Sequence, residues 1–125
     1  MANEQVQEIT TPILYYYNTI STQSYFNISG NKANIVAIYN SYSGITTNAT
    51  IETKVQKKTF FWWFDVDNGQ TNNTWMDTLT TTSGTASHTL SLSKTGEYRT
   101  TITYTIYGSG GSADIITTTL YDDYN

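Results

Sequence analysis

The sequence predicts an antiparallel β-sandwich of about seven to nine strands in Greek-key order. Three observations carry that expectation. Threonine is the commonest residue, and 11 tyrosines, 3 tryptophans and 4 phenylalanines raise the aromatic share to 14%. Such β-branched and aromatic side chains suit a pleated, half-buried surface. The chain alternates in short blocks with a period of two, and turn residues punctuate it at strand-length intervals. No segment has a helical period.

The elements follow in order. Residues 1–11 are polar, acidic and aperiodic, and read as an arm ending at Pro12; the domain proper spans 12–125. A first strand covers Leu14–Ile28, interrupted near Asn18 or Gln23, and Ser29-Gly30-Asn31 turns it. Ala33, Ile35, Ala37 and Tyr39 alternate in a second strand, which Ser43-Gly44 ends. Ala49, Ile51, Thr53 and Val55 mark the core side of a third, with Thr50, Glu52, Lys54 and Gln56 on its solvent side.

Next comes Phe60-Phe61-Trp62-Trp63-Phe64-Asp65-Val66-Asp67, followed by Asn68-Gly69, a strong hairpin signal. Taking Asn68-Gly69 as a two-residue turn sets Asp67 against Gln70, Asp65 against Asn72 and Trp62 against Trp75. A strand over 74–82, a turn at Ser83-Gly84 and a strand over 85–93 follow. After Lys94-Thr95-Gly96, Tyr98, Thr100, Ile102, Tyr104 and Ile106 alternate cleanly with polar neighbours. Gly108-Ser109-Gly110-Gly111 forms a loop, Ala113–Leu120 a last strand, and Tyr121–Asn125 an acidic tail. The expected core is Ile20, Ile35, Ala37, Ile51, Val55, Leu90, Leu92, Tyr98, Ile102, Tyr104 and Ile106.

Gly96-Glu97-Tyr98 specifies the sandwich further. A Gly-x-Tyr step opens the penultimate strand of immunoglobulin-like domains, where the tyrosine hydroxyl ties the corner back to backbone. Thr100 then stands where an antibody-type domain carries its second cysteine. The chain also resembles a family of small secreted Gram-positive bacterial proteins of unknown function with an immunoglobulin-like domain. The matching pieces are Ile20, Gly30-Asn31-Lys32-Ala33, Val55-Gln56-Lys57-Lys58, Trp75, Gly96-Glu97-Tyr98-Arg99 and Ile102–Gly108, in collinear order across about residues 12–121. The stretch from Phe60 to Asn73 departs from that pattern in length and aromatic content. The resemblance implies the fold and export, and brings no catalytic residues.

Composition narrows the chemistry. There is no cysteine, which excludes disulfides, thiolate metal sites and a cysteine nucleophile. A net charge of −4 and few basic residues disfavour nucleic acid as a partner. Charged residues make up only 13% of the chain, so Thr, Ser and Asn carry its solubility, a composition suited to work outside the cell. No apolar run is long enough for a transmembrane helix, and no basic amphipathic helix addresses an anionic membrane. Met1–Glu4 lacks the features of a signal peptide. The expectation is a mature secreted or cell-surface chain with Met1 set before it, a cytosolic protein being the alternative.

His88 is the single histidine, and no nucleophile-elbow motif accompanies it, so it reads as a structural or surface residue and the chain as no enzyme. Asp65 and Asp67 resemble the start of a calcium loop, but the twelfth position is Met76 rather than an acid. No cofactor is expected. Asp114, Asp122 and Asp123 offer a second acidic group, better read as solvated. Three N-glycosylation sequons, at Asn27, Asn48 and Asn72, match a Thr- and Asn-rich chain by composition alone.

The aromatic block is the candidate binding site. Phe60, Trp62 and Phe64 take one side of a strand and Phe61 and Trp63 the other, whereas a sandwich strand buries only one side. One set is therefore covered, by the N-terminal arm or Tyr15–Tyr17, or exposed as an interaction patch. Trp62, Trp63, Trp75 and Phe61, with Asn72 and Asn73, are the expected site of a binding module for a protein or carbohydrate ligand. The alternative is a structural subunit that binds copies of itself, forming a filament or oligomer by strand exchange through the N-terminal arm.

Overall fold

The structure, a computed structural model, describes residues 7–12, 16–109 and 111–125. Residues 1–6 of the arm, Leu14, Tyr15 and Gly110 therefore lie outside the described residues. Among the described residues nine strands run in chain order: β1 (Gln7–Pro12), β2 (Thr19–Ser29), β3 (Lys32–Ser41), β4 (Thr46–Thr59), β5 (Trp62–Asp65), β6 (Trp75–Leu79), β7 (Ser83–Ser91), β8 (Gly96–Gly108) and β9 (Asp114–Tyr124).

They form two antiparallel sheets. One has the order β1-β2-β3-β7; the other has β5-β4-β8-β9, with β6 also paired to β4. The chain changes sheet between β3 and β4, again between β6 and β7, and again between β7 and β8, which gives the Greek-key immunoglobulin-like sandwich. The corner is as the Gly-x-Tyr step requires: Tyr98, 2% exposed at the start of β8, donates its hydroxyl to the Lys94 carbonyl. Thr100, fully buried, donates instead to the Lys54 carbonyl at 2.9 Å.

Alternation places the core. On β8, Tyr98, Thr100, Ile102, Tyr104 and Ile106 point inward; β4 contributes Ala49, Ile51 and Val55, and β3 contributes Ala33, Ile35, Ala37 and Tyr39. Two expected core residues differ. Leu90 is only partly buried. Ile20 is 46% exposed, because the β2–β3 register slips between Thr19 and Ser21 and turns its side chain outward.

Other boundaries shift for local reasons. Ser83-Gly84 is no turn: both lie in β7, with Gly84 opposite Tyr39. A β-carbon on Gly84 would stand 2.6 Å from Leu79 Cδ2, so that glycine serves close approach rather than chain reversal. Tyr121–Tyr124, expected in a tail, extend β9. The part of the arm from Gln7, read as aperiodic and in the alternative reading as a strand for a neighbouring subunit, pairs with β2 of its own chain, from Gln7↔Phe26 to Pro12↔Ser21.

Two β9 carboxylates expected in solvent are buried and fasten the sheets together. Asp114, 3% exposed, accepts from Tyr17 N (2.9 Å), Asn18 N (2.8 Å) and Thr19 Oγ1 (2.7 Å). Asp122, 7% exposed, accepts from Ile28 N at 2.8 Å. Charge in the sequence suggested solvation, but backbone and hydroxyl donors at both ends of β2 supply the hydrogen bonds that a buried carboxylate needs.

Candidate binding site

β4 is long, and its outer edge is shared by two short partners. β5 pairs with its far end and β6 with its first half. The hairpin that joins β4 to β5 turns at Phe60-Phe61, with Thr59↔Trp62, Lys58↔Trp63, Lys57↔Phe64 and Gln56↔Asp65 as its rungs. The expected turn at Asn68-Gly69, with Trp62 against Trp75, is therefore corrected. Trp62 faces Thr59, and Trp75 faces Thr53.

Asn68 and Gly69 shape a loop instead. Asp67 Oδ1 accepts from Gly69 N at 2.9 Å, and Asn68 Oδ1 accepts from Gln70 N at 3.0 Å. Asn68 Nδ2 donates to the Asn73 carbonyl at 3.0 Å, closing the loop over the short 3-10 turn at Thr71–Asn73. These side chains bond to their own loop backbone, which is what Asx residues do when no hairpin claims them.

The Phe60-Phe61 turn has unusual chemistry. Phe60 holds φ at 57°, in the left-handed region, at the first of the two turn positions. Two-residue hairpins favour glycine or asparagine where φ is positive, and a bulky residue there is an outlier that costs about 1–2 kcal/mol. Both phenylalanines are 87% exposed, Trp62 is 69% exposed and Phe64 56%. The tip is thus an apolar finger, with rings on both of its sides in water.

The other aromatic residues of the expected site are occupied. Trp63 lies on the outer face of its sheet. Arg99 Cζ sits 4.5 Å above its ring, and the Tyr121 ring meets it edge-on at 5.7 Å. Arg99 Nε donates to Gln56 Oε1 at 2.7 Å, and Gln56 Nε2 donates to Asp65 Oδ1 at 2.9 Å. Lys54 Nζ completes the row 3.2 Å from Asp65 Oδ2. The Gln56 hydrogen bond, with Lys54 adding to it, holds the Asp65 carboxyl below the usual aspartate range. Asp65 is thus committed to an ion pair and Asp67 to its loop. Among the described residues, no group of three His, Asp or Glu is placed to hold a metal ion.

Trp75 packs against the core and stacks on His88, with centroids 4.5 Å apart and planes at 7°. His88 Nε2 in turn meets Asp77 Oδ2 at 2.6 Å. The single histidine is part of an inter-sheet contact. Asn72 lies with Thr71, Thr74 and Met76 near Glu52, the partner of Met76 on β4, and Asn73 ends the 3-10 turn beside it. Six residues of β4 separate Thr53, opposite Trp75, from Thr59, opposite Trp62, which is about 20 Å of strand. The expected six-residue site thus divides in two: Trp75, Asn72 and Asn73 lie apart from the finger, and Phe61, Trp62 and Trp63 belong to it, the Trp63 ring being covered by Arg99 and Tyr121.

Phe60, Phe64 and the paired Lys57 and Lys58 join them there. The signal for these was present in the uninterrupted run from Lys57 to Phe64. At the base of the finger, a groove of about 360 Å³ opens between Phe64, Lys57 and Asp67 on one side and Ser93, Lys94 and Tyr98 on the other.

The chain is, by architecture, an immunoglobulin-like sandwich with a projecting aromatic hairpin. No protein-family model matches it. No curated protein matches it either. Among solved structures, the crystal structure of wild-type OgpA from Akkermansia muciniphila aligns over 98% of this chain and 28% of its own, at 12% identity and a TM-score of 0.49. A likeness that distant bears on neither the site nor the function.

Proposed function

We propose that the chain is a secreted or cell-surface, non-catalytic binding module that engages its partner through the tip of the β4–β5 hairpin. The observation that carries this reading is the contiguous exposure of Phe60, Phe61, Trp62 and Phe64. Fully burying a phenylalanine such as Phe60 or Phe61 is worth about 1.5–3 kcal/mol, most of which these two rings forgo in water. Phe60 also holds a left-handed backbone, a strain of the kind that clusters at functional sites. Scattered apolar residues need no explanation on a protein surface, whereas a contiguous patch marks an interaction site. His88 and the acidic residues near the hairpin are engaged with neighbours of their own, which supports binding over catalysis.

The test compares the full chain with a Phe60→Gly/Phe61→Ser variant for retention on three immobilised surfaces: peptidoglycan, mucin and phospholipid vesicles. The expected result is retention of the full chain on at least one surface, reduced at least about tenfold in the variant. Retention on none, or equal retention of both chains, would overturn the reading.

A further inference from the structure

We infer that the hairpin's partner is the interface of a lipid bilayer bearing anionic headgroups, an inference that rests on the reading of the hairpin as the binding surface. The finger's polarity is layered along its axis. Phe60 and Phe61 form the tip, and the Thr59–Trp62 rung comes next. Behind it stand the Lys58–Trp63 and Lys57–Phe64 rungs, each pairing an amine with a ring. Hydrocarbon at the end, indole next and lysine behind is the order in which a bilayer interface itself changes from acyl chain to headgroup.

Charge agrees with that order. From Lys57 to Phe64 there are two cations and no acid, although the whole chain carries −4. The nearest acid in sequence, Asp65, is neutralised by Lys54 and bonded to Gln56. Lysines within a Debye length of an anionic surface each add attraction, and the two here sit one and two rungs behind the level at which rings would enter.

The other occupants fit less well. A protein hot spot is an anchor ringed by polar contacts at its own level. At the level of Phe60 and Phe61 the hairpin has no such rim, since both rings are 87% exposed. A second copy would need an apolar socket, and the groove at the finger's base mixes Phe64, Val66 and Tyr98 with the charged Lys57, Asp67 and Lys94.

Vesicle co-sedimentation and tryptophan emission test the inference, using phosphatidylcholine alone and phosphatidylcholine mixed with phosphatidylglycerol. The full chain should pellet with the mixed vesicles, with a blue shift from Trp62, and should bind phosphatidylcholine alone more weakly. Phe60→Gly/Phe61→Ser should lower partitioning at least about tenfold while the thermal midpoint holds or rises, since glycine suits the turn. Lys57→Gln/Lys58→Gln should weaken binding to mixed vesicles several-fold and flatten its salt dependence. Failure to bind vesicles, equal binding by the phenylalanine variant, or indifference to phosphatidylglycerol would overturn the inference. If peptidoglycan or mucin retains the chain through Phe60 and Phe61 while vesicles do not, the lipid assignment falls and the binding-module reading stands.

Discussion

His88 on β7 and Asp77 on β6 meet at 2.6 Å across the gap between the two sheets, with the Trp75 ring stacked against the imidazole. Among the described residues β6 is a short strand paired to β4, and this contact ties it to the opposite layer beside that of Leu79 with Gly84. His88→Ala should lower stability by about 1–3 kcal/mol through lost stacking and hydrogen bonding. His88→Phe should recover the stacking part. Urea denaturation of the three chains checks this, and near-ultraviolet circular dichroism should show Trp75 losing its fixed environment in the alanine variant alone.

Strain in the hairpin turn makes an opposite prediction. Phe60→Gly should stabilise the fold by up to about 1 kcal/mol, since glycine enters the left-handed region freely, less its greater freedom in the unfolded chain. Phe60→Val should destabilise, because a β-branched residue is worse placed there than phenylalanine. Thermal melts of both read the sign directly.

Asp114→Asn is predicted to be costly despite its near-identical shape. The carboxylate accepts from two backbone amides and the Thr19 hydroxyl. An amide turns an accepting atom into a donor facing donors, which leaves at least one buried N–H unsatisfied. The expected loss is about 2–4 kcal/mol, measured by the shift in urea midpoint at unchanged slope.

Alkaline pH should loosen the core through Tyr104. Burial pushes its hydroxyl up to about 12 from an ordinary 10.0. The unfolded tyrosine ionises first, so the contribution is complete below about pH 10 and is lost as pH rises toward 12. The loss amounts to roughly 2–3 kcal/mol. Tyr104→Phe should remove this slope. It should also forfeit about 1 kcal/mol at neutral pH, with the hydrogen bonds to Ser24 (2.7 Å) and Gln23 (3.0 Å). Stability curves from pH 7 to 12 should therefore cross, the parent chain starting above Tyr104→Phe and ending below it.

The sandwich was legible where one face of a strand is buried and the other wet. The β8 alternation and the Gly96–Tyr98 corner are that case, and the core residues read from β3, β4 and β8 are buried. The hairpin was misplaced because Asn68-Gly69 has the better local turn chemistry. In the structure Val66 packs against the core and the β5 register follows β4, so the reversal falls on Phe60-Phe61 against local preference. Asp114 and Asp122 looked solvated because their donors lie more than ninety residues away in sequence. Trp63 and Trp75 looked available because neither Arg99 nor His88 announces its ring partner by spacing.

The buried carboxylates of β9 bear on how the domain is assembled. Where antibody-type domains close their layers with a sulfur bridge, this chain ties its own with Asp114 and Asp122. Such clasps need no oxidant to form and have no wrong partners to be exchanged with, so folding involves no thiol chemistry at all. Dithiothreitol and glutathione should leave its unfolding curve untouched, and the same domain can be held together in an oxidising or a reducing medium.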